Sequence, residues 1–117
     1  MVRPSTGEDV FRAVADPTRR AVLEVLGRDG EQPVTALAGR LDVSVPLLSR
    51  HLAVLRSASL VTERRAGRQR LYRLCPGPLR ELHDWAAVFA DFWTERVRNL
   101  HAYLEHTGDD HGASDHR

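Results

Sequence analysis

Between residues 40 and 80 the chain carries nine arginines against two acidic residues, whereas residues 1–39 carry five against six and residues 81–117 three against eight. The net charge of +1 hides this partition. A basic middle third suits a phosphate-bearing partner, and an acidic protein partner would fit it as well. All 17 basic residues are Arg, and a guanidinium makes the two-pronged contacts to phosphate and guanine that an ammonium does not. Arg64, Arg65, Arg68 and Arg70 crowd one short stretch, with Arg73 just beyond. Like charges so close repel one another in water, so an anionic partner is the economical explanation and a solvated turn the plain one.

The second candidate stretch is Ser44 to Leu60, SVPLLSRHLAVLRSASL. Wound as a helix, it puts Leu48, Leu52 and Leu55 on one face, with Leu47, His51 and Val54 as a flanking stripe. Pro46, Ser49, Arg50, Ala53 and Ser57 are left on the far side. That outer face is small and polar, without the Glu and Lys pairs of an ordinary solvated helix, and such a face can lie close against a groove of DNA. A plain amphipathic helix is the alternative. Ser44 is a good N-cap and Pro46 is tolerated in a first turn, so the spacing predicts a helix from about Val45 to Ser57.

The elements that position these residues follow from local signals. Glu8 to Val14 reads as a short helix with Val10, Phe11 and Val14 apolar. Asp16-Pro17 starts a second helix that buries Val22, Leu23 and Leu26 and stops at Gly27 or at Asp29-Gly30. Arg19 and Arg20 fall in its first turn, where the helix dipole disfavours cations; solvation, pairing with Asp16 and a phosphate or dimer contact are the choices. Val34 to Leu41 gives a third helix, linked through only Asp42-Val43-Ser44 to the next, which makes a helix-turn-helix. Val61 to Arg65 and Gln69 to Leu74 are strand-like runs around Ala66-Gly67-Arg68, a hairpin in which Gly67 supplies the positive φ. Helix-turn-helix followed by a basic hairpin is the winged-helix order.

From Pro78 to about His106, Leu79, Leu82, Trp85, Phe89, Phe92, Trp93, Val97, Leu100 and Leu104 recur at spacings of three and four. A helix of that extent spans about 43 Å, more than so small a core needs. The surplus apolar length implies a partner, most simply a second copy of the chain. A helix folded back on its own domain is the alternative. Two copies also suit DNA, since reading helices one turn of duplex apart match a two-fold site.

The 117 residues, 42% hydrophobic, allow one modest core. The expected organisation is a flexible lead over 1–7, one domain over 8–106 ending in a dimerisation helix over about 78–106, and a disordered tail over 107–117. The fold class expected is mainly α with a small β-hairpin wing. A single cysteine excludes an internal disulfide, and no apolar run approaches a membrane span or a signal-peptide core, so a cytoplasmic protein is expected. No glycine-rich phosphate loop and no nucleophile with a spaced His and acid is present, which argues against an enzyme.

In this order the residues resemble the ArsR/SmtB family of small bacterial winged-helix repressors, over roughly Val10 to Leu104. Three motifs carry the resemblance: FRAVADPTRR from Phe11, SVPLLSRHL from Ser44 with Leu55 and Leu60-Val61 behind it, and GRQRLYRL from Gly67. It implies a homodimer, joined through the first and last helices, that represses transcription on operator DNA. Ser44, Ser49, Arg50 and His51 stand at positions where the family contacts phosphates and base edges, whereas Leu47 and Leu48 are bulkier than usual. Ser59 stands where Gly is common ahead of the wing.

The resulting expectation for DNA is Ser44, Pro46, Leu47, Ser49, Arg50, His51, Arg64, Arg65, Arg68 and Arg70, with Leu47 meeting a thymine methyl. For the dimer it is Val10, Phe11, Trp85, Phe89, Phe92, Trp93 and Leu100. Some relatives sense metals, but residues 34–41 hold no cysteine for a thiolate site. His83-Asp84 with His101 and Glu105 or His106 only approximates the other known pattern. No metal and no cofactor is expected, and Cys75 before Pro76 reads as a small filler rather than a redox switch. An unidentified small-molecule effector is left open, and the competing readings are a protein-interaction module docking an acidic partner and a repressor that responds to a metal or thiol signal.

Overall fold

Asp16 and Ser44 start the two helices that frame the core. In the computed structural model, which describes residues 7–94 together with Leu100 and Leu104, the Asp16 carboxylate accepts the amides of Thr18 and Arg19 at 2.8 and 3.1 Å. The Ser44 hydroxyl accepts the amide of Leu47 at 3.2 Å. Each cap satisfies amides that have no partner inside the helix, and each is followed by Pro in the first turn, which lacks the amide altogether.

Among the described residues the order is α1 (Gly7–Ala13), α2 (Pro17–Asp29), β1 (Gln32–Pro33), α3 (Val34–Leu41), α4 (Val45–Ser57), β2 (Val61–Ala66), β3 (Gln69–Leu74) and α5 (Leu79–Ala87). The helix-turn-helix pair α3 and α4 has the boundaries expected from sequence. The second helix runs to Asp29 and closes on Gly30, with φ 82°, rather than at Gly27. The wing holds a strand that the sequence does not announce. Gln32 and Pro33 pair antiparallel with Tyr72 and Leu71, so the sheet has the order β1-β3-β2. Pro donates no amide to a ladder and is therefore confined to an edge such as this one.

Left-handed residues close both helices of the pair. After α3, Asp42 has φ 57° and Val43 bonds back to the Ala38 carbonyl at 3.1 Å. After α4, Ser59 has φ 61°, its amide reaches Arg56 at 2.9 Å and that of Leu60 reaches Leu55 at 2.9 Å. This double closure is the Schellman arrangement, and a serine holds here the conformation that glycine adopts most cheaply. At the wing tip Gly67 has φ 63° between the paired residues Ala66 and Gln69, so the hairpin turns on Gly67-Arg68 alone.

The chain divides into two compact units, one up to His83 and one from Asp84 onward. The core of the first joins Val10, Val22, Leu26, Leu37, Leu48, Leu52, Leu55, Leu60, Val61 and Tyr72. Leu79 and Leu82 of α5 pack against it. The uninterrupted helix expected over 78–106 is not what forms. After Ala87 the backbone turns at Val88 and Phe89, whose amides bond three residues back to Trp85 and Ala86, and helical backbone resumes at residue 90. A β-branched and an aromatic residue in succession both lose rotamer freedom against a preceding helical turn, and the chain tightens there instead. The flexible lead expected over 1–7 stops short of Gly7, which already opens α1, and its residues 1–6, together with Val97, His101, His106 and the expected tail 107–117, lie outside the described residues.

Candidate nucleic-acid interface

Leu48, Leu52 and Leu55 are fully buried and hold α4 with its opposite face outward. Ser44, Val45, Pro46, Leu47 and Arg50 are exposed and Ser49 is half-buried. Leu47 shows 40% of its surface, a cost that an ordinary core helix would avoid and that an apolar partner such as a thymine methyl would recover. His51 differs from the rest of the expected set. Its ring lies toward the start of α2, with Nδ1 3.2 Å from the Arg19 guanidinium and 3.9 Å from Asp16 Oδ2.

Arg19 in turn donates to the carbonyls of Ala13 at 2.7 Å and Arg12 at 3.2 Å, and Arg20 donates to Val14 at 2.8 Å. Both cations thus serve the C-terminal end of α1, where a helix dipole favours them. The Asp16 carboxyl is held below its ordinary value, first by the Arg19 amide and then by that of Thr18 and the charge of Arg19, against an opposing push from burial.

The wing arginines, alike in sequence, separate into different situations. Arg64 makes a two-pronged pair with Glu31, at 2.8 and 2.9 Å, which ties β2 to the approach to β1. The same bonds hold the Glu31 carboxyl below its ordinary range. Arg70 lies 3.5 Å from Glu63 and donates to the Ser49 hydroxyl of α4 at 3.4 Å, with its guanidinium 6.0 Å from the centre of the Tyr72 ring. Among the described residues Arg50, Arg65 and Arg68 form no ion pair. A cleft of about 280 Å³ opens between the starts of α3 and α4 and the wing, with Thr35 and Val45 on one side and Arg65, Arg68 and Arg70 on the other. Exposed cations beside the first turns of two helices, at the positive ends of their dipoles, make a surface suited to phosphate oxygens.

Three residues in this arrangement escaped the sequence reading: Glu31, Arg56 and Glu63. Glu63 sits between Arg56 at 3.0 Å and Arg70 at 3.5 Å. Its rarity as an acid in a basic stretch was the available signal.

Of the residues expected at a dimer contact, Val10 is fully buried within the first unit, while its neighbour Phe11 is exposed. In the second unit Trp85, Val88, Phe89, Phe92, Trp93, Leu100 and Leu104 are all exposed, and Trp85 meets Phe89 edge-on at 5.3 Å. Among the described residues no group of three or more His, Cys, Asp or Glu side chains is placed to hold a metal ion, and no helix is long and apolar enough to cross a membrane.

A family model described as a helix-turn-helix domain matches residues 14–64, which span α2 to the middle of β2. The transcriptional regulator Rv2034 of Mycobacterium tuberculosis is 41% identical over 103 residues, covering 86% of this chain and 90% of the relative. The arsenical resistance operon repressor of Escherichia coli is 39% identical over 70% of this chain and 67% of its own. Among solved structures, an ArsR-like transcriptional regulator from Rhodococcus superposes with a TM-score of 0.64 at 31% identity, over 84% of this chain and 89% of that one. At that identity over nearly the whole length of a relative, and on the same winged architecture, the chain belongs to the ArsR family of winged helix-turn-helix transcriptional regulators.

Proposed function

We propose that this chain is a homodimeric repressor that binds double-stranded DNA at a two-fold operator, reading bases with the outer face of α4 and gripping backbone with the wing. The observation that carries this reading is the outward face of α4, with Pro46, Leu47 and Arg50 exposed and Ser49 half-buried, set beside the cations Arg65 and Arg68, which form no ion pair among the described residues. Phosphate contacts fix orientation and base contacts specify sequence, and the two sets of residues divide in that way. Repression is supported by the Escherichia coli relative, itself a repressor of an arsenical resistance operon. Dimerisation is supported by the run of exposed aromatic and aliphatic side chains from Trp85 to Leu104, a larger apolar display than a monomer ordinarily leaves in water. Two α4 helices about 34 Å apart would then meet successive major grooves on one side of the duplex.

The deciding measurement is a titration of the purified protein with the duplex upstream of its own gene, repeated across salt concentrations. Arg65 and Arg68 of the two protomers, each set against a phosphate, give a slope of about −4 in log affinity against log salt. Binding that ignores duplex DNA at low salt but captures an acidic protein would assign the basic face to a protein partner instead.

A further inference from the structure

Glu63 is out of place on a surface meant for phosphate. It is one of two acidic residues between positions 40 and 80, and the other, Asp42, caps α3 with left-handed backbone. A carboxylate beside phosphates weakens binding to every duplex alike, so its presence calls for a compensating role.

The sheet register shows what that role is. Residues directly opposite across an antiparallel pair share a face, so Val61 with Leu74, Glu63 with Tyr72 and Arg65 with Arg70 lie on one side of the wing. Val61 and Tyr72 on that side belong to the same buried core as Leu48, Leu52 and Leu55 of α4. The face therefore grades from apolar, through one acid, to two cations nearest the tip. Glu63 keeps only 18% of its side chain exposed and lies between the last turn of α4, through Arg56, and the wing, through Arg70. Arg70 is approached by the Glu63 carboxylate, the Tyr72 ring and the Ser49 hydroxyl on the reading helix. A rotamer-rich side chain is thus held in one place, beside the face that carries Arg50.

We propose that Glu63 is a positioning residue for sequence selectivity: by holding Arg70 against Ser49 it fixes wing and reading helix in one register, so that a duplex is accepted only where both fit. This rests on the DNA-binding reading given above. The carboxylate costs affinity for all duplexes and returns discrimination among them.

The test uses the duplex that the wild-type chain enriches from a randomised pool and a scrambled duplex of the same length and composition. Glu63→Gln removes the charge and the grip on Arg70. Its affinity for the scrambled duplex rises and its preference for the enriched one falls about tenfold, the scale of one well-made base contact. Glu63→Asp keeps the charge but shortens the reach, so the preference falls with no gain on the scrambled duplex. Asp42→Asn removes an equal charge elsewhere, and asparagine tolerates the left-handed backbone, so both affinities rise together and the preference holds. Because Glu63 acts through Arg70, adding Glu63→Gln to Arg70→Gln lowers the preference no further. An unchanged preference in Glu63→Gln, or an equal further fall in the Arg70→Gln background, overturns the proposal. A wild-type chain that enriches no duplex overturns the DNA-binding reading itself, which separates the two failures.

Discussion

The Arg19 guanidinium stands 3.2 Å from Nδ1 of His51, joining the first turn of α2 to the middle of α4. Arginine has no acceptor, so in this contact the ring nitrogen accepts. The same guanidinium holds the carbonyls of Ala13 and Arg12, so three helices meet at one side chain. The orientation of α4 is thereby tied to polar contacts at the α1–α2 junction as well as to its buried leucines.

Removing that junction should loosen the first unit. Arg19→Ala is expected to lower unfolding free energy by about 1–3 kcal/mol, the usual loss for hydrogen bonds made by a charged group. Arg20→Ala, which gives up the one bond to Val14, should cost less. Urea unfolding of the two variants against wild type checks both; equal costs would show that the His51 and Ala13 contacts add nothing.

Asp16 gives the fold an acid dependence of known sign. Its carboxyl titrates below the ordinary 3.8, chiefly because the Arg19 amide bonds the charged form. A group whose value is depressed on folding contributes stability above its unfolded value and loses it as the pH falls through the folded one. Asp16→Ala should therefore melt lower than wild type at neutral pH, with the gap narrowing as the pH drops below 3.8. A gap that stays constant down to that range would assign the effect to something other than the ionised cap.

The wing arginines should not respond alike. Replacing Arg65 and Arg68 together with Gln is expected to lower the salt slope by about 0.9 for each phosphate left without a cation, uniformly across sequences. Arg64→Gln should change the slope less, because Arg64 is already committed to Glu31. Slopes measured by fluorescence titration decide it, and a larger effect from Arg64 would mean that its pair with Glu31 opens on DNA.

Arg50→Ala should reduce preference for the operator while leaving the melting temperature in place, since Arg50 is exposed and forms no ion pair among the described residues. Gel shifts on operator and scrambled duplex, run beside a thermal melt, provide the check. A variant with full preference would remove Arg50 from the reading face.

Trp93→Asp places a charge amid the exposed apolar run of the second unit. Sedimentation should then show monomers, with weakened duplex binding through loss of the second reading helix. A variant that remains dimeric would move the interface away from this stretch.

Much of the candidate site was legible along the chain because the signals are local. Asp16-Pro17 and Ser44-Val45-Pro46 carry their own caps, Gly67 marks the hairpin, and the leucines of α4 declare its inner face by their spacing. The family resemblance rested on those same elements. The two-residue strand Gln32–Pro33 was invisible, being too short to show any period, and so was the break at Val88-Phe89, where the apolar spacing continues although the backbone turns.

Charge was legible as an amount and not as an arrangement. The sequence alone established a basic hairpin beside a bare polar helix, because composition and alternation need only neighbouring residues. Only the folded chain decided that Arg64 is committed to Glu31, that Arg70 is shared between Glu63 and Ser49, that Arg65 and Arg68 form no ion pair within the described residues, and that His51 turns toward Arg19. Those partners are separated by up to 33 residues, and sheet register and helix packing, which no local pattern encodes, bring them within bonding distance.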